Sequence, residues 1–194
     1  MKRIILLLAA VVTTTGFAQK IKVTEGSLGV LKGQTSINTE FTYDHMSVGK
    51  FADEADYIAK KKEEYNSKEA GRGDKWEADW VGDRKERFEP QFRELFAKYS
   101  DMSTVDANAK YTLIFKTTKT EPGWNIGISR SPAYIDAEVW IVETQSPDKV
   151  VTKATITKSP GRDAMGYDYD TGSRIQEAYA KARKELGAMV KKGK

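Results

Sequence analysis

The strongest constraint on the fold is that the spacing of apolar residues changes along the chain. Residues 20–48 alternate apolar and polar side chains, with Ile37 and Phe41 on one face, which is typical of half-buried strands. Apolar residues then recur at helical spacing over 50–100, and three further strand-like runs occupy 111–157. The last helical stripe carries Ile175, Ala178, Tyr179, Ala182, Leu186 and Met189.

This order of elements predicts an α+β domain of two layers. We expect a mostly antiparallel five-stranded sheet with helices on one face, because every segment has one apolar face to bury. Pro90 would break a helix interior, so we predict two helical pieces, the second opening at Pro90. The residues "SPDK" (146–149) are predicted to form a hairpin turn. Aromatic residues near helical spacing are predicted to form core: Trp76, Trp80, Phe88, Phe92 and Phe96.

The first 18 residues are predicted to be a secretory signal peptide. A short basic region precedes the apolar run 4–12, and "GFA" at 16–18 fits the small residues of a cleavage site. The apolar run is shorter than the ~20 residues that cross a bilayer. We therefore expect cleavage after Ala18, a periplasmic or secreted protein without a transmembrane segment, and a single α+β domain over 19–194.

The amino-acid composition excludes several classes of function. The chain has no cysteine, which excludes disulfides, thiol catalysis and an acylated cysteine. Without Lys2 and Arg3 the chain has 30 basic and 28 acidic residues, a net charge of +2 that does not favour a nucleic-acid partner. His45 is the only histidine and is predicted to be half-buried on its strand. A zinc site is therefore not expected, and no metal or other cofactor is predicted.

No catalytic motif is complete. The residues "GISRS" (127–131) lack the second glycine of a nucleophile elbow. "GRGD" (71–74) is interpreted as a break between two helices rather than as an adhesive tripeptide. Two carboxylates suffice for glycoside hydrolysis, but 28 acidic residues make any such pair uninformative. We predict no catalytic residue and favour a non-enzymatic protein, with a carboxylate-based hydrolase as the third hypothesis.

The stretch from Asp168 to Ser173 is interpreted chiefly as the entrance to a helix. An EF-hand register that starts at Asp168 fails, because Ser173 and Tyr179 stand where glycine and glutamate are required. Side chains that can accept hydrogen bonds from the first free N–H groups of the helix are Asp170, Thr171 and Ser173. We therefore predict a helix cap and no metal site.

Helix capping leaves several aromatic and cationic residues of the loops 121–132 and 159–174 unexplained. Aromatic rings and guanidinium groups beside a helix N-terminus can hold an anion or a sugar. The alternative is that these side chains pack against the sheet. The predicted ligand-binding residues are Trp124, Arg162, Tyr167, Tyr169 and Arg174.

These observations lead to two hypotheses that precede the hydrolase. The first is an exported, non-enzymatic cell-envelope protein with a binding or assembly role through a sheet edge or loops. The alternative is a glycan- or anion-binding module that uses the loops 121–132 and 159–174. The expected partner is accordingly an envelope protein or a glycan.

Several segments of the chain resemble known bacterial proteins. These segments are "TGFAQK", "FTYDHMSVGKF", "ADYIAKKKEEYNSKEAGRGDKW", "FEPQFRELF", "TEPGW" and "GYDYDTGSRIQEAYAKARKEL". With them the mature chain resembles small secreted or periplasmic Bacteroidota proteins of unknown function, a resemblance that implies export but assigns no catalytic residue. The C-terminal half also resembles α+β accessory domains of bacterial envelope lipoproteins, although this chain lacks their lipidated cysteine.

Overall fold

The computed structural model describes residues 19–125, 128–162 and 170–193. The strands are β1 (Lys20–Gly26), β2 (Asn38–Thr42), β3 (Ser47–Val48), β4 (Tyr111–Glu121), β5 (Trp124–Asn125), β6 (Arg130–Ser131), β7 (Tyr134–Glu143) and β8 (Ser146–Pro160). The helices are α1 (Glu54–Asn66), α2 (Arg72–Asp83), α3 (Glu89–Ser100) and α4 (Thr171–Gly193), and a 3₁₀ turn spans Leu28–Leu31. The predicted signal peptide, residues 1–18, lies outside the described residues.

Six strands form one mixed sheet, which confirms the predicted α+β class. The strand order is β1-β8-β7-β4-β2, and β3 also pairs with β4. The pairs β1–β8, β8–β7 and β7–β4 are antiparallel, whereas β2 and β3 run parallel to β4. The five predicted strands are the main path of this sheet, and β3 is a short sixth strand. Strands β5 and β6 pair with each other as a separate ribbon.

The helices cover one face of the sheet. In β7 the buried residues Ile135, Ala137, Val139 and Ile141 alternate with half-buried side chains on the opposite face. The ring of Phe92 on α3 lies 4.9 Å from that of Phe115 on β4, and Tyr179 on α4 lies 5.6 Å from Phe115. The apolar faces that alternation predicts for the strands and helical spacing predicts for the helices therefore pack together in one core.

The helical region around Pro90 differs from its prediction in one respect. Pro90 does lie in the first turn of α3, as expected. No break separates the two pieces, however, because a π-helical turn over Arg84–Phe88 connects α2 directly to α3. In this turn the N–H of Glu89 donates to the carbonyl of Arg84, five residues earlier. The wider turn admits a residue that has no N–H, so the chain continues without unwinding.

Two local predictions are wrong. His45 is exposed in a turn with a φ of 57°, because β2 ends at Thr42 before the alternating pattern does. The hairpin between β7 and β8 turns at residues 144–145, where Glu143 pairs with Ser146. The predicted "SPDK" turn therefore lies inside β8, where the irregular register accommodates its proline.

Candidate functional site

The two loops that were predicted to bind a ligand approach each other at the start of α4. The N–H of Gly161 donates to the Ala133 carbonyl at 2.7 Å, and the N–H of Arg162 donates to the Arg174 carbonyl at 3.2 Å. These bonds join the end of β8 to the start of β7 and to the first turns of α4. The fold thus holds Arg162 and Arg174 together, whereas Tyr167 and Tyr169 lie outside the described residues.

The predicted helix entrance is confirmed for Asp170–Ser173. The Ser173 N–H donates to Asp170 Oδ1 at 2.9 Å, which caps the first turn of α4. The same carboxylate pairs with Arg87 Nη1 at 2.9 Å. Burial of the Asp170 carboxylate opposes its ionisation, but the Ser173 N–H and the Arg87 guanidinium prevail and lower its pKa. The lowered pKa fits a cap that stays charged.

The capping carboxylate of Asp170 and the carboxylate of Asp83 lie on either side of Arg87. Arg87 Nε contacts Asp83 Oδ1 at 2.9 Å, while Arg87 Nη1 contacts Asp170. Burial raises the pKa of Asp83 in spite of the nearby Arg87 charge. A side chain at Gly172 would collide with the Asp83 carboxylate, so glycine permits this close approach. The arrangement is an ion-paired helix junction, in which both carboxylates are engaged by Arg87.

Arg174 connects the two loops through its guanidinium group. Its Nε donates to the Pro122 carbonyl at 3.2 Å, and its Nη2 donates to Thr171 Oγ1 at 3.1 Å. The side chain is only 4% exposed. Arg174 therefore positions the segment after β4 against the start of α4 while it also lines a groove on the surface.

Trp124 lies at the edge of the same groove. Gly123 precedes it in a left-handed conformation with a φ of 74°, and Trp124 then pairs with Ser131 in the β5–β6 ribbon. Its side chain is 44% exposed, which is unusual for so large an apolar ring. The segment thus presents an indole ring to solvent beside Arg174.

The far wall of the groove comes from the α1–α2 helical pair. The groove has a cavity volume of about 540 Å³, within the range of small-molecule sites. Its aromatic lining residues are Tyr57, Tyr65, Trp76 and Trp124. Its cationic lining residues are Lys61, Lys68, Arg72 and Arg174, and no carboxylate is among the described lining residues. We call this site the basic aromatic groove.

Three rings of the groove, those of Tyr57, Tyr65 and Trp76, form a connected cluster. Trp76 lies 5.7 Å from Tyr57 and 5.8 Å from Tyr65 between ring centroids, and it stacks on buried Trp80 at 5.6 Å. Such contacts hold each ring in a fixed orientation. The predicted aromatic core is confirmed for Trp80, Phe88, Phe92 and Phe96, which are buried, whereas half-buried Trp76 packs against the core and also lines the groove.

Three cations surround the ring of Tyr65. The Arg72 guanidinium carbon lies 5.3 Å from the ring centroid, and the Nζ atoms of Lys68 and Lys61 lie at 5.7 and 5.8 Å. Lys61 is neutralised by Glu64 at 3.0 Å. Over the described ranges, no carboxylate lies within ion-pair distance of Lys68 or Arg72. These two exposed cations are therefore available to an anion from solution.

The contribution of α1 and α2 to the site was not predicted from the sequence. Tyr65, Lys68 and Arg72 lie at the end of α1, in the turn after it and at the start of α2, so no single helical spacing signals them. The break itself is confirmed, since Gly71 adopts a left-handed φ of 80° at the start of α2. Arg162 does not line the groove. Its Nη2 donates to Ser173 Oγ at 2.6 Å instead.

The fold and the site together define an α+β domain with an open groove that is aromatic and cationic. No helix in the described ranges has the length and apolar character that crossing a membrane requires. Within residues 19–125, 128–162 and 170–193, no group of three or more His, Asp or Glu side chains is placed to hold a metal ion.

Comparisons with known proteins give matches among solved structures. No protein-family model matches the chain, and no curated protein sequence matches it. Among the 12 matching chains of solved structures are two of the PelC dodecamer from Paraburkholderia phytofirmans, both similar in outline. The PelC structure has 11% identity and a TM-score of 0.37, and a single-substitution variant of it has 10% identity and a TM-score of 0.36. Each similarity covers 86% of this chain and 98% of the other, and neither carries an argument about function.

Proposed function

We propose that the protein is an exported, non-enzymatic binding protein of the cell envelope whose ligand occupies the basic aromatic groove. The observation that supports this proposal is the meeting of exposed Trp124 with Tyr65, Lys68 and Arg72 across one concave surface. These residues come from separate parts of the chain, and Arg174 holds the Trp124 segment in place.

The chemistry of the groove suits a ligand that has both a flat or ring-shaped face and a negative charge. Exposed aromatic rings bind flat or C–H-rich surfaces, and fixed rings lose little entropy on binding. Unpaired guanidinium and ammonium groups attract anions, and Arg72 can engage a carboxylate or a sulfate through two N–H groups. The proposal thus adopts the glycan- or anion-binding hypothesis, and it moves one wall of the site from the loop 159–174 to the α1–α2 pair.

Assembly through a sheet edge is the second candidate function. Among the described strands, β1 pairs only with β8, so its outer hydrogen-bonding groups are free to pair with a partner strand. Its lysines and the register shift between Val23 and Glu25 are features that discourage such pairing. The groove is therefore the better supported site.

Export is part of the proposal and has its own test. The basic, apolar and small-residue segments of 1–18 predict that protein from the native envelope begins at Gln19. Intact-mass measurement and N-terminal sequencing check this expectation. Recovery of a chain that retains Met1, or of the protein from the cytoplasm alone, would contradict export.

Replacing Trp124 with alanine is expected to weaken ligand binding by about tenfold, because one exposed ring provides ~1.4 kcal/mol or more of contact energy. Binding is measured by isothermal titration calorimetry with neutral and acidic oligosaccharides of defined length. Trp140→Ala is the matched control, since this half-buried indole lies on the opposite face of the sheet and donates to Glu138. Equal losses in both variants, or none in Trp124→Ala, would argue against the groove.

A further inference from the structure

We infer that the ligand of the basic aromatic groove is an acidic saccharide, a sugar ring that carries a carboxylate or a sulfate; this inference rests on the proposed function. The groove places exposed Trp124, its half-buried rings and the unpaired cations Lys68 and Arg72 side by side. A ligand that satisfies both features must therefore present a ring surface and an anionic group within the same short segment.

The charge of the groove contrasts with that of its neighbour. Trp76 also lines a second groove, whose described lining has four carboxylates (Asp79, Asp83, Glu86 and Asp170) and two cations, Lys75 and Arg87. The basic aromatic groove has four cations, of which Lys61 is paired with Glu64, and no carboxylate in its described lining. A surface with an excess of positive charge and one with an excess of negative charge thus lie on the two sides of one indole ring. An acidic ligand is attracted to one side and repelled by the other.

The start of α4 adds to the positive potential. Thr171, the first residue of this 23-residue helix, lines the basic aromatic groove. The positive end of the helix dipole therefore borders the same space as Lys68 and Arg72, although Thr171 also lines the second groove. The Asp170 carboxylate caps the Ser173 N–H of the first turn.

The exposure of the rings favours a sugar over a planar aromatic acid. Trp124 leaves 44% of its surface open at the edge of the groove, and Tyr65 and Trp76 are half-buried along the far wall. A planar aromatic ligand is held best between two parallel rings, but Trp76 and Tyr65 are inclined by 46°. The rings of the groove each offer one face, and these faces are inclined to one another. Successive sugar units fit such faces, because each unit stacks on a ring through its C–H groups and keeps its hydroxyl groups in water.

The test compares four probes at equal concentration by isothermal titration calorimetry. These probes are an oligogalacturonate, a sulfated oligosaccharide, a neutral oligosaccharide of the same length and inorganic phosphate. We expect one or both acidic saccharides to bind at least about tenfold more tightly than the neutral one and than phosphate. Their affinity should fall when NaCl is raised from about 50 mM to about 500 mM, because exposed charge pairs are screened.

The double variant Lys68→Ala with Arg72→Ala should lose most of this preference, with a drop of about tenfold for the acidic probes. The matched control is Lys191→Ala with Lys192→Ala, which removes the same charge at the far end of α4 and should change affinity less than about twofold. Circular dichroism confirms that each variant is folded.

Each alternative outcome overturns a defined part of the argument. Equal affinity for the neutral probe, lost in Trp124→Ala but kept in the double variant, would overturn the acidic class and leave the proposed function intact. If phosphate bound as tightly as the acidic saccharides, the groove would be a site for simple anions, and the acidic-saccharide inference would be overturned. Binding of none of the probes would overturn both the acidic-saccharide inference and the proposal on which it rests.

Discussion

Replacing Phe92 with alanine is expected to lower the free energy of unfolding by about 3–5 kcal/mol, the range for large-to-small changes in a packed core. Phe92 is 0% exposed. Its ring lies 4.9 Å from Phe115, 5.3 Å from Phe41 and 5.8 Å from Phe96 between centroids. Alanine would leave a cavity that these rings cannot fill, because they belong to three elements of fixed spacing.

Urea denaturation followed by tryptophan fluorescence measures the Phe92→Ala effect. Val81→Ala is the matched control on the adjoining helix, since Val81 is 44% exposed and its truncation should cost less than about 0.5 kcal/mol. An unchanged unfolding midpoint for Phe92→Ala would contradict the assignment of this ring to the core. A large loss of unfolding free energy in Val81→Ala would show that this region is destabilised by any substitution, so that the Phe92→Ala loss would not report core burial.

Much of the core could be predicted from the sequence, because alternation and helical spacing report directly which side chains face inward. The alternation of Ile135, Ala137, Val139 and Ile141 predicted the buried face of β7, and the spacing of Phe92 and Phe96 predicted the buried face of α3. Local backbone chemistry was harder to predict. The π-helical turn before Pro90 depends on a shift of hydrogen bonds from the fourth to the fifth preceding residue, which no side-chain pattern signals.

The basic aromatic groove could be predicted only in part. Trp124 and Arg174 were identified as binding residues, because aromatic and cationic side chains in glycine-containing loops stood out. Tyr65, Lys68 and Arg72 were not, since they lie far away along the chain and reach the groove only through the packing of α1 on α2. A sequence shows which residues share a helix face, but not which loop will lie opposite that face.

Arg183 is a buried residue that the sequence gives no reason to expect. It lies on α4 beside the predicted stripe that contains Ala182 and Leu186, and its side chain is 0% exposed. None of its three guanidinium nitrogens has a hydrogen-bond partner in the described structure. Burial lowers the pKa of Arg183 to about 10, although Glu177 and Glu94 act in the opposite direction. The group therefore remains charged at neutral pH in a site where the two glutamates compensate only part of the cost of burial.

Replacing Arg183 with methionine is accordingly expected to raise the free energy of unfolding by about 1–4 kcal/mol, because an apolar chain of similar length removes an unpaired buried charge. Arg183→Lys keeps a buried cation and should bring no such gain. The pKa of Arg183 in the folded state lies below its ordinary value, so the unfolded chain binds the proton more strongly. The destabilisation by the buried charge is complete below about pH 10 and declines as the pH rises above that value. Urea melts should therefore show a constant advantage of the methionine variant from neutral pH to about pH 9 and a smaller one near pH 11. A methionine variant less stable than the parent protein would show that the guanidinium stabilises the interface between α3 and α4.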